Sequence, residues 1–169
     1  KTAIAPTASI SIICGGASPG VEPIAANSYT HKTLSGSYNV KNHYLQKILK
    51  KHGKDDDETW STITTNQGSV SHLNFLTNHE KDVFKTAFEL DQKWIIELGA
   101  QRTPYVSQAQ SINVFLPADV HKKELHQIHF LAWKKGLKSL YYCRSKSIQR
   151  AENVNNDLST NATKNESKQ

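Results

Sequence analysis

Apolar and polar positions along this chain switch between a period of two and a period near 3.6, and the switches mark out its elements. TAIA (Thr2 to Ala5) is a short β-type run closed by Pro6. The PTASISIICGGASPG that follows is rich in small, hydroxylated and glycine residues, a pattern suited to a loop or helix start beside a ligand. In NSYTHKTLSGSYNV (Asn27 to Val40) β-formers flank Ser35-Gly36, which predicts a hairpin. HYLQKILKKHG then places Tyr44, Leu45, Ile48 and Leu49 at helical spacing, with Gly53 as the stop.

Asp55 to Glu58 is an acidic cluster that suits a helix N-terminus, and Trp60 beside it is expected to pack inward. Thr77 and Glu80 have capping-box spacing and predict a helix through Val83, Phe84, Ala87, Phe88 and Leu90. Trp94, Ile95 and Leu98 define a further amphipathic helix ending near Gly99. SQAQSINVFLP (Ser107 to Pro117) reads as a strand stopped by proline. In HKKELHQIHFLAWKKG a helix puts Leu125, Ile128, Leu131 and Ala132 on one face, and LKSLYY (Leu137 to Tyr142) reads as the next strand. That strand–helix–strand ending argues for an α/β fold with parallel pairing. Beyond about Ile148 aromatics vanish and Asn, Ser, Thr and Lys dominate, so residues 149–169 are expected to form a disordered polar tail.

Composition narrows the function classes only slightly. With 169 residues the chain can build one domain with a core, here residues 1–148, but hardly two. The net charge of +6 suits anionic ligands without choosing between nucleotides and nucleic acid. No apolar run approaches a membrane span, so no membrane partner is expected. The lack of methionine and the apolar start suggest a piece of a longer chain. Cys14 and Cys143 are too few for a disulfide scaffold and suit a reducing, cytoplasmic setting. Without a secretion signal, the sequons at Asn161 and Asn165 read as chance.

Each candidate motif has an ordinary reading beside its functional one. The residues of PTASIS could expose backbone N–H groups and hydroxyls of Thr7, Ser9 and Ser11 to a phosphate, yet turn-and-cap chemistry accounts for the same pattern. CGGASPG permits close backbone approach but has neither Walker nor dinucleotide spacing. His121, Glu124, His126 and His129 crowd one helix; without HExxH or a cysteine pair they read as a solvated face, and no metal site is expected. The pairs Lys50-Lys51, Lys122-Lys123 and Lys134-Lys135 lack the interleaved aromatics of a nucleic-acid surface. The cysteines read as small buried hydrophobes, and Tyr141-Tyr142 on local grounds as strand packing.

Taken together, these pieces resemble a known family. APTASISIICGGASPGVEP (Ala5 to Pro23) and LKSLYYCRS (Leu137 to Ser145) are similar to two landmarks of the class I ribonucleotide reductase large subunit, in that family's order and near its spacing. SQAQSINVFLP, the helix after it and KKGLKSLYY resemble the family's late barrel strand, helix and strand, so the likeness spans roughly Thr2 to Ile148. It implies the C-terminal part of a ten-stranded α/β barrel that reduces ribonucleoside diphosphates to deoxyribonucleoside diphosphates. By the same resemblance, Thr7, Ala8, Ser9 and Ile10 would hold the substrate's phosphates. Tyr141 and Tyr142 would be the catalytic dyad that relays a radical toward an active-site cysteine.

The resemblance also implies what this piece lacks. The family's chemistry needs at least three thiols in the site, and neither Cys14 nor Cys143 stands where the family keeps them. The piece is therefore expected to be inactive alone and to assemble with the N-terminal portion of the large subunit, whether it is a fragment or a naturally split subunit. A metal-containing small (beta) subunit would supply the radical, a thioredoxin- or glutaredoxin-type reductant the electrons, and upstream regions the effector-nucleotide sites. No cofactor is expected on this piece itself. The alternative is a catalytically inactive nucleotide-binding or subunit-interaction protein that kept the fold; a nucleic-acid-binding role rests on charge alone.

Overall fold

The computed structural model of the chain describes residues 1–15, 18–33 and 36–145, with backbone only for 31–33. The expected tail at 149–169, its two sequons, the Ser35 corner and Gly16 lie outside the described residues. The elements run in the order α1 (Ala8–Ile13), β1 (Ser28–Thr33), β2 (Gly36–Lys41), α2 (His43–Lys51), α3 (Asp57–Thr65), α4 (Asn78–Val83), a 3-10 turn at Ala87–Glu89, α5 (Gln92–Arg102), a second 3-10 turn at Thr103–Tyr105, β3 (Val114–Leu116), α6 (Lys122–Lys134) and β4 (Cys143–Ser145).

Helix starts follow the polar signals. Asn42 caps α2, its side-chain oxygen accepting the N–H of Tyr44 at 3.0 Å. Asp56 caps α3 through the N–H of Thr59 at 2.7 Å. Asp55, next to it, accepts Trp60 Nε1 at 2.8 Å, which draws the indole in, and Trp60 is buried as expected. Thr77 and Glu80 form the reciprocal capping box, worth about 1 kcal/mol by the usual cost of deleting a cap.

Helix ends and faces are less faithful to the pattern. α4 stops at Val83 rather than continuing to Leu90. A second box interrupts it: the Thr86 N–H donates to Glu89 at 2.8 Å, and the next amide, that of Ala87, reaches the Ile24 carbonyl at 2.9 Å. α5 turns Gln92, Ile95, Ile96 and Gly99 inward and leaves Trp94 and Leu98, two of the three residues expected to define its apolar face, exposed. Gly99 leaves room there for Ile112, whose Cδ1 an added Cβ would meet at 2.6 Å. Both cysteines are exposed rather than buried, Cys14 at the solvent end of α1 and Cys143 on the exposed β4.

β1 and β2 form the expected antiparallel hairpin, with Ser28 opposite Lys41. β3 and β4 are parallel, Val114 opposite Cys143, with α6 between them, so the βαβ ending is present. Its strands are shorter than expected: Ser107 to Pro117 contributes three strand residues, and Thr2 to Ala5 a single parallel bridge from Ile4 to Gln110. The strand expected at Leu137 to Tyr142 starts instead at Cys143. Within that stretch the Lys138 ammonium donates to the carbonyls of Val106 at 2.7 Å and Ser107 at 2.8 Å.

Two apolar clusters hold the molecule together. Leu45, Leu49, Trp60, Ile63, Val70, Leu73, Leu76 and Phe84 make the first; Ile96, Val114, Leu116, Ile128 and Ala132 make the second. Each fully buried leucine or isoleucine contributes about 1.5–3 kcal/mol. Beside the first cluster, buried Asn27 donates from its side chain to the carbonyls of Gly68 at 2.9 Å and Phe84 at 2.8 Å and accepts from Asn42 at 2.9 Å. Gly68 makes that approach possible: at φ 83° a Cβ there would sit 2.3 Å from the Ala26 Cβ.

Candidate functional site

Two marked segments of the chain carry the candidate site. The first is the turn into α1. Ala8, Ser9 and Ile10 are exposed, and their N–H groups precede the first intrahelical bond, from Ser11 N–H to the Thr7 carbonyl at 2.8 Å. These amides face outward ahead of the helix without needing any particular side chain. Thr7 differs from them. Its N–H donates to the Pro19 carbonyl at 3.2 Å, closing the loop on itself, so only its hydroxyl is left for a ligand. Ser11, one of the three candidate hydroxyls, is buried and donates to the Ala8 carbonyl at 2.8 Å. The local fold thus keeps Thr7 to Ile10 together and withdraws Ser11.

The second segment is Tyr141-Tyr142. Their side chains do not splay to opposite faces as neighbours in a strand would. They precede β4, and the backbone there bonds to the run leading into β3: Tyr141 N–H donates to the Ile112 carbonyl at 2.8 Å, and Val114 N–H to the Tyr142 carbonyl at 2.9 Å. Released from the strand geometry, the two rings approach to 4.1 Å between centroids at 50°. A hydrogen bond with Tyr142 pushes the Tyr141 phenol above its ordinary range, with burial and the neighbouring ring acting the same way and Arg144 acting against them. The Arg144 guanidinium lies 5.4 Å from the centre of the Tyr142 ring, a cation–π distance. Both rings are about half exposed.

Sequence reasoning missed the residues that join these segments. Glu22 is buried among them, and its carboxylate accepts the Asn113 backbone N–H and, at 3.2 Å, the Asn113 side-chain amide. The Ser18 hydroxyl donates to the Glu22 carbonyl. The signal available was slender, a single acid in the small and apolar stretch GVEPIAA. Among the described residues no three His, Cys, Asp or Glu side chains converge as a metal site would require. On α6 His129 Nδ1 instead pairs with the Leu125 carbonyl at 2.8 Å, and the His126 ring stacks on Phe130. No described helix is long and apolar enough to cross a membrane.

Comparison with known proteins places this geometry in context. The family model "Ribonucleotide reductase, barrel domain" matches residues 1–143. The ribonucleoside-diphosphate reductase large subunit of Invertebrate iridescent virus 6 is 51% identical over 164 residues, 95% of this chain and 17% of that protein. Its counterpart in Invertebrate iridescent virus 3 is 42% identical, over 94% of this chain and 26% of its own length. The alpha subunit of Chlamydia pneumoniae is 38% identical over 89% of this chain and 14% of itself. Among solved structures, the class Id ribonucleotide reductase alpha subunit of Actinobacillus ureae superposes with a TM-score of 0.76 at 42% identity, covering 88% of this chain and 27% of that one. The chain therefore spans about a quarter or less of the length of these relatives.

Proposed function

Because this chain belongs to the ribonucleotide reductase large-subunit family, as part of its barrel domain, we propose that it supplies the substrate-phosphate loop and the tyrosine relay of a ribonucleoside-diphosphate reductase. The enzyme so formed reduces ribonucleoside diphosphates to deoxyribonucleoside diphosphates by radical chemistry. The observation that carries this reading is the Tyr141–Tyr142 contact, two rings 4.1 Å apart between centroids where a regular strand would have separated the two phenols.

Such a pair can pass an oxidising equivalent with little rearrangement. A phenoxyl radical on one tyrosine takes an electron and a proton from the phenol of the other. The first becomes a phenol again, and the radical now resides on the second. Contact between the rings shortens the electron's path, and the proton passes between the two neighbouring phenols. The starting radical comes from a metal-containing small subunit and the thiols from the remaining part of the large subunit; effector nucleotides bind in that part too. Electrons return through a thioredoxin- or glutaredoxin-type reductant.

For the substrate, the amides of Ala8, Ser9 and Ile10 and the hydroxyls of Thr7 and Ser9 have no partner among the described residues and can donate to an anion held in front of them, a role a diphosphate fits. The test is reconstitution with the complementary portion of the large subunit, the small subunit and a reductant. Tyr141→Phe and Tyr142→Phe each bring deoxynucleotide formation down to background while substrate binding persists. Ser9→Ala raises KM about fivefold at nearly unchanged kcat, the equivalent of one neutral hydrogen bond of about 1 kcal/mol. Turnover that survives either phenylalanine variant removes the relay from the reading. Nucleotide binding without any reduction by the parent assembly identifies an inactive binding protein instead.

A further inference from the structure

Glu22 is the one buried acid among the described residues that neither the phosphate loop nor the relay uses, and its position is unusual in what it connects. It stands at the end of the loop that begins at Thr7. The loop is closed from its other side by the Thr7 N–H on Pro19 and by the Ser18 hydroxyl on the Glu22 carbonyl. The Glu22 carboxylate holds Asn113, and Asn113 is flanked by the two residues that bond the tyrosine segment, Ile112 to Tyr141 and Val114 to Tyr142. From loop to tyrosine pair the path is therefore one side chain and three consecutive residues.

The chemistry of the contact makes it directional. A carboxylate can only accept, so it fixes the Asn113 amide with its NH2 inward and leaves the buried Asn113 Oδ1 with no donor among the described residues. An uncompensated acceptor of that kind costs stability. It is tolerated here while the carboxylate binds two donors of one residue, a grip that an apolar side chain could not replace.

We infer that Glu22 is a positioning residue that ties the turn at Thr7, bonded to Pro19, to the start of β3 through Asn113 and so sets the register of Tyr141 and Tyr142 relative to that turn. The role of that register in turnover rests on the function proposed above; the mechanical link does not.

Residue-resolved hydrogen exchange on the full 169-residue chain tests the link. In Glu22→Ala, exchange of the Thr7, Val114 and Tyr141 amides quickens at least about tenfold, whereas the Leu49 and Trp60 amides, buried with the first cluster, keep their rates. Glu22→Gln restores protection, because its carbonyl accepts the Asn113 N–H and a flipped Asn113 amide presents Oδ1 to the new NH2. Asn113→Ala, which keeps the backbone donor, gives a smaller acceleration at the same three amides and serves if Glu22→Ala fails to fold. Acceleration confined to Asn113, a uniform acceleration that includes Leu49 and Trp60, or no change overturns the inference.

In the reconstituted enzyme Glu22→Ala lowers kcat at least tenfold and Glu22→Gln recovers it. Unchanged kcat beside altered exchange at the three amides rejects a register that matters to turnover. A Tyr141→Phe enzyme that still turns over would reject the relay while leaving the exchange result standing.

Discussion

At the scale of single residues, the polar side chains that decide this structure are those with several partners. Glu80 accepts the Thr77 N–H at 2.8 Å and its hydroxyl at 2.9 Å, and its other oxygen meets His52 at 3.2 Å. The Thr77 bonds first, and His52 after them, lower its carboxyl from an ordinary 4.5 to about 2. Since the folded value lies below the unfolded one, the contribution is whole above pH 4.5 and is lost as the pH falls toward 2. Urea midpoints of the parent therefore drop across that window, and Glu80→Gln makes the drop shallower. An equal slope in both proteins would mean that the capping box does not titrate as a unit. The Thr77-x-x-Glu80 spacing was visible in the sequence. Asn27 was not, because an asparagine before a β-run is ordinary and its three partners are 15, 41 and 57 residues away.

At the scale of elements, starts were legible, as were the apolar faces of α2 and α6, but not that of α5. Asp56, Thr77 and the α6 periodicity announce themselves within a few residues, because caps and apolar spacing are local physics. α5 shows the limit. Its sequence offers Trp94, Ile95 and Leu98 as an apolar face, yet the buried side includes Gly99, whose missing side chain admits Ile112, two residues before β3. A glycine's value as a gap is invisible until its neighbour is known. Gly99→Ala should cost about 1–3 kcal/mol by overpacking, and Ile112→Val, by removing the Cδ1 that collides, should recover most of it. Additive losses in the double variant would contradict that account. The tyrosine segment is set by distant partners too: Tyr141 and Tyr142 bond to Ile112 and Val114, and Lys138 beside them reaches carbonyls 30 to 32 residues back.

At the scale of the molecule, the described residues form two short sheets and no closed barrel, as suits a chain that spans a fraction of its relatives' length. Exposed Ile12, Ile13, Trp94 and Trp133 accompany these open sheets. The chain alone should bind an apolar-sensing dye and self-associate, and the complementary portion of the large subunit should suppress both. Dye binding that persists in the assembly would place those side chains elsewhere than at the joint. The overall α/β plan and the βαβ ending could be read from periodicity, and the barrel family from the two quoted landmarks. The Glu22–Asn113 tie could not, because 91 residues separate its ends.

The first apolar cluster has a consequence for how the chain comes to be folded. Its members all lie between Leu45 and Phe84, a single unbroken stretch, and the asparagine beside it precedes them. Nothing in that cluster waits for residues translated later, and contacts so near in sequence close quickly. As the chain emerges from the ribosome, this unit can settle before Asn113 or either tyrosine has been added. The turn at Thr7, made before them, must then wait for β3, the last of its partners to arrive.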